Sequence, residues 1–193
     1  MSRPLYIACY QLVIADGLTA LALACYAGPR CTAFLNFPLS SSFLTHSIMK
    51  LTGPEGVFEL NILDYECTDS PYFMDRNWLI VSLKTHYKDK DCTRTAPVLS
   101  TWELELLLNW IRSLADEREL SPKLTFVEPA LSFSTTSTGP GDYRLRIKLG
   151  ANARPAWQTG SAPFYLPVTP DKRELQRAIQ DLEGQLRRFP VRD

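Results

Sequence analysis

The sequence predicts an α+β fold: an antiparallel β-sheet meander carrying two amphipathic helices, at about residues 101–117 and 170–188. Three observations predict it. Short runs alternate apolar and polar residues, as half-buried strands do. Two longer runs repeat leucine, isoleucine and alanine at helical spacing. The runs do not follow the strand–helix–strand rhythm of a parallel nucleotide-binding sheet.

The elements begin at Met49. Val57 to Ile62 places Phe58, Leu60 and Ile62 on one face of a strand. An acidic, turn-rich loop follows, with Glu66, Asp69, Ser70-Pro71 and Asp75. Trp78 to Tyr87 is rich in β-branched and aromatic residues, and Lys88-Asp89-Lys90-Asp91 is the hairpin turn into another strand ending near Leu99. Ser100-Thr101-Trp102-Glu103 has the form of a capping box, a hydroxyl at the N-cap with Glu three residues later. Behind it Leu104, Leu107, Leu108, Ile111 and Ala115 form a helical stripe. Trp102, Leu106 and Trp110 widen that stripe, so the helix is expected to be substantially buried.

Leu124–Glu128 and Leu131–Thr135 read as strand pieces broken at Pro129, and residues 134–141 as a loop. In the next strand Tyr143, Leu145, Ile147 and Leu149 face one way and Arg144, Arg146 and Lys148 the other. Phe164–Val168 is a short strand beside prolines, as edges allow. Thr169-Pro170-Asp171 opens the last helix, with Thr169 as the expected N-cap and Leu175, Ala178, Ile179, Leu182 and Leu186 as its stripe.

Composition divides the chain. Of its 193 residues, the first 48 hold three charged side chains, Arg3, Asp16 and Arg30, and three of the five cysteines. The remaining 19 of 21 Lys+Arg and 20 of 21 Asp+Glu lie from Met49 onward. The expected organisation is therefore a single domain over residues 49–193 with a non-domain extension over 1–48. Three readings of the extension compete. Residues 5–28 are apolar enough for a membrane signal, although Asp16 interrupts them at a cost of several kcal/mol. The segment is otherwise a structured extension broken by Gly28-Pro29 and Phe37-Pro38, or the product of a misassigned start with translation beginning at Met49. The last is favoured, and with it a cytoplasmic protein whose cysteines are thiols.

Little of the sequence suggests catalysis. His86 is the one histidine after Met49, and no nucleophile elbow or Cys-His signature accompanies it. Cys67 and Cys92 stand apart, which gives no zinc spacing. No glycine-rich phosphate loop occurs, so neither a cofactor nor a metal is expected. A formal net charge of zero removes the electrostatic footprint of a general nucleic-acid or membrane binder.

Binding features are richer. From Lys50 to Asp75 there are six acids and one base, and from Arg144 to Arg192 ten bases and four acids. The candidate partner-binding residues are accordingly Glu59, Glu66, Asp69 and Asp75 on the acidic side, and Arg144, Arg146 and Lys148, ~7 Å apart along one strand face, on the basic side. Arg154-Pro155-Ala156-Trp157 is a candidate cation–π pair, Arg154 on Trp157.

The order of Gly56-Val57-Phe58-Glu59-Leu60, Asn77-Trp78-Leu79-Ile80-Val81, Thr101-Trp102-Glu103-Leu104, Glu128-Pro129-Ala130-Leu131-Ser132-Phe133, Arg144-Leu145-Arg146-Ile147 and Arg154-Pro155-Ala156-Trp157, with a closing helix ending in Phe189-Pro190, resembles the WapI-type immunity proteins of bacterial polymorphic-toxin systems. The resemblance covers residues 49–193. It implies a cytoplasmic antidote that binds the toxic C-terminal domain of a large exported, repeat-rich protein, often a nuclease. It carries over no binding residues. An orphan binding module of the same fold and, further off, a small hydrolase acting through scattered carboxylates are the alternatives.

Overall fold

The computed structural model describes residues 47–118, 122–136 and 143–193. The expectations about residues 1–46, and the inner part of the 134–141 loop, lie outside the described residues.

The strands form two antiparallel four-stranded meanders rather than one. The first joins β1 (Met49–Thr52), β2 (Gly56–Tyr65), β3 (Trp78–Tyr87) and β4 (Lys90–Ser100) in sequence order. The second joins β5 (Lys123–Thr125), β6 (Leu131–Thr135), β7 (Leu145–Leu149) and β8 (Phe164–Val168). Three helices complete the fold: α1 (Phe73–Arg76), α2 (Thr101–Ala115) and α3 (Lys172–Arg188). A 3₁₀ turn at Ala151–Ala153 covers part of β4.

Alternation in the sequence becomes two faces in the sheets. Phe58, Leu60 and Ile62 of β2 are buried, as are Leu145, Ile147 and Leu149 of β7. The inner faces share one core, in which Phe58 meets Phe133 edge-on at 5.9 Å and Phe133 in turn meets Phe126 and Trp110. Where the β1–β2 turn meets the end of β8, a Cβ on Gly53 would stand 2.8 Å from Val168 Cα and 2.9 Å from the Thr169 nitrogen. The same junction is closed by the Thr169 N–H donating to the Thr52 carbonyl at 2.9 Å.

Just beyond that bond, α3 starts differently from expectation. The expected cap was Thr169, but the helix starts two residues later. Asp171 caps it, accepting from the Glu174 N–H at 2.8 Å while the Glu174 carboxylate accepts from the Asp171 N–H at 3.1 Å. At α2 the expected box is present. Glu103 is buried, accepting from the Ser100 N–H and hydroxyl at 2.8 Å each and from the Val127 N–H at 2.6 Å.

α2 and α3 pack together, with Arg112 paired to Glu183 at 2.6 Å. α3 also lies along β1, and its buried Gln185 acts as a piece of strand. Its side chain accepts from the Ile62 N–H at 2.7 Å and donates to the Leu60 carbonyl at 3.2 Å, at the point where β1 runs out.

Candidate protein-interaction site

The seven candidate residues fall in three places. Glu59 projects from the outer face of the first sheet and is neutralised there by Lys50 at 3.3 Å and Lys84 at 3.7 Å, its cross-strand neighbours. His86 pairs with Asp91 at 2.9 Å on the same face. The shallow depression around that pair is lined by Lys50, Val57, Glu59, Lys84, His86 and Asp91, with no serine, threonine or cysteine among them.

Arg144, Arg146 and Lys148 line the outer face of the second sheet, as the alternation required. The Arg146 guanidinium lies 4.8 Å from the centre of the Tyr165 ring, and the Lys148 ammonium reaches the Pro129 carbonyl at 3.4 Å. The cation over Trp157 is Lys90, 5.6 Å from the ring centre, not Arg154. Trp157 stacks on Tyr87, which draws it to the β3–β4 hairpin, while the backbone carbonyl of Arg154 accepts from Arg94.

Glu66, Asp69 and Asp75 lie on one segment, the one that joins β2 to β3. Its neck is closed by the Glu66 N–H donating to the Trp78 carbonyl at 2.8 Å. Within it the Ser70 hydroxyl donates to Asp75 at 3.0 Å and accepts from the Tyr72 N–H at 3.2 Å. The segment is held from below by Asn77, a fully buried side chain with all its bonds made. Asn77 Nδ2 donates to the carbonyls of Phe73 and Arg192, its Oδ1 accepts from the Arg192 N–H, and its backbone carbonyl accepts from the Thr101 N–H. The start of α2 and the α1 turn are thereby fixed to one another.

This bracing presents apolar side chains to solvent. Phe73 stacks on Trp102 at 5.9 Å with 14° between the rings. Tyr72 is 69% exposed, Phe73 45%, Met74 49% and Leu106, one turn after Trp102, 50%. Isolated exposed leucines are ordinary; Tyr72, Phe73, Met74 and Leu106, next to a stacked tryptophan, make this the candidate interaction surface. Aromatic residues and methionine are also the types enriched where proteins meet.

Sequence reasoning singles out three acids of the β2–β3 segment and not the exposed apolar side chains beside them. Tyr72, Phe73 and Met74 were absorbed into a polar loop, and Leu106 was assigned to a buried helix. One signal was present: an apolar arc on α2 wider than the stripe a single sheet covers.

Among the described residues no group of three or more His, Cys, Asp and Glu is placed to hold a metal ion, and no helix is long and apolar enough to cross a membrane. No curated protein and no solved structure matches the chain. One family does match, over residues 50–190, in a region that contains both sheets, the braced aromatic surface and the closing helix. The chain therefore belongs to the immunity protein WapI-like family.

Proposed function

We propose that this protein is the antidote of a contact-dependent polymorphic toxin system. In the cytoplasm it binds the toxic C-terminal domain of its cognate exported protein and inhibits it stoichiometrically, by covering the active site or the path of the substrate. The observation that carries this reading is the family match over residues 50–190. The exposed aromatic surface supports it, because a protein that acts by binding needs apolar anchors that its own core leaves uncovered. The chain acts here as a binder and not as an enzyme.

The test is co-expression with the C-terminal domain of the repeat-rich exported protein encoded beside it. Restored growth and a co-purifying stoichiometric complex are expected. Undiminished toxicity without a complex would sink the reading, and the lack of any such neighbouring gene would favour an orphan binding module.

A further inference from the structure

We infer that the toxic domain docks on the surface built by Tyr72, Phe73 and Met74 with Trp102 and Leu106 of α2, and that it presents a basic surface there around an apolar centre. This rests on the proposed antidote role and deepens it by naming the face and the partner's chemistry.

Three observations carry it. The first is the apolar centre itself, whose exposure works against the chain in water unless a partner covers it. The second is rigidity. α1 is a single turn, too short to hold its shape alone, yet Asn77, the Ser70–Asp75 bond and the Phe73–Trp102 stack fix it before any partner arrives. A surface ordered in advance does not pay the ordering entropy at the moment of binding.

The third is charge. Glu66, Asp69 and Asp75 lie on the segment that carries Tyr72, Phe73 and Met74, Glu105 stands beside Leu106 on α2, and none of the four pairs with a lysine or arginine among the described residues. Glu59, by contrast, is compensated by two lysines within its own sheet. Arg76 is the one base of the β2–β3 segment, and its buried Nε has no hydrogen-bond partner among the described residues. Uncompensated acids around an apolar centre match a partner of opposite charge. Such an arrangement speeds encounter and rejects acidic competitors. The all-basic row of Arg144, Arg146 and Lys148 lies on another sheet and would repel the same partner.

The experiment measures binding of the full chain to the isolated toxic domain by calorimetry at low and high salt. Tyr72→Ala and Leu106→Ala are each expected to raise Kd by roughly tenfold or more. The combined change Glu66→Lys, Asp69→Lys, Glu105→Lys is expected to weaken binding and flatten its salt dependence, without lowering the thermal midpoint because all three side chains are exposed. Arg146→Glu with Lys148→Glu is expected to leave Kd within about twofold. Face variants that bind like the unaltered chain would overturn the inference while leaving the antidote role intact. So would loss of binding confined to the Arg146 and Lys148 variant, which would assign the interface to the second sheet. An unaltered chain that does not bind at all would overturn both.

Discussion

Two tyrosines tie distant parts of the chain together through hydroxyls that must keep their protons. Tyr65 donates to the Pro190 carbonyl, lies under the Arg192 guanidinium at 3.4 Å from the ring centre and meets Phe189 edge-on. Tyr143 donates to Glu117 at 3.1 Å. Burial holds both phenols above their ordinary value of 10.0, with the cation of Arg192 working the other way at Tyr65 and Glu117 adding to the effect at Tyr143. A folded-state pKa above the unfolded one gives stability that is complete below about pH 10 and is lost as pH rises through the folded values. Urea unfolding followed from neutral pH to above about pH 10 is expected to show that decline, and Tyr65→Phe to make it shallower.

At the scale of elements, the start of α3 is the sharpest case. If Asp171 is the cap, Asp171→Ala removes the bond to the Glu174 N–H and should lower stability by about 0.5–2 kcal/mol, whereas Thr169→Ala should change it little. Denaturant midpoints of the two variants separate the assignments. The same comparison shows how far each element was legible. β3 and β8 were readable to the residue, because β-branched and aromatic content and neighbouring prolines are local properties. The Asp171 cap was not, because Thr169 and Asp171 are both favourable cap residues, and Thr169 is held at the end of β8 by Thr52, a partner more than a hundred residues away. α1 was unreadable for the same reason. Its four residues carry no helical period, and they hold their shape through Asn77 and the ring of Trp102. Of the candidate site, Glu66, Asp69 and Asp75 were visible as unmatched charge. The exposure of Leu106 depended on how much of α2 its tertiary neighbours cover, and no local pattern encodes that.

For the molecule as a whole, the two sheets share a core, and Gly53 is a point where their backbones come close. Gly53→Ala would drive a methyl group into the backbone at Val168 and Thr169, at a cost of about 1–3 kcal/mol if the junction has to shift. Because Phe58 and Phe133 meet across that core, both sheets are expected to lose structure together, as a single thermal transition at a lower midpoint. Two separate transitions would show that the sheets fold independently.

The seal that Gln185 places on Leu60 and Ile62 has a consequence during synthesis. More than 120 residues separate this glutamine from the strand atoms it occupies. While the ribosome is still making the second sheet, those atoms have no helix to cover them, and the first sheet has an open margin that another nascent chain can join. The proposed antidote role calls for the protein in quantity before a toxin arrives, and crowded polysomes are where such margins meet. Production of this protein should therefore depend more on chaperones that shield unfinished sheets than the stability of the finished fold would suggest.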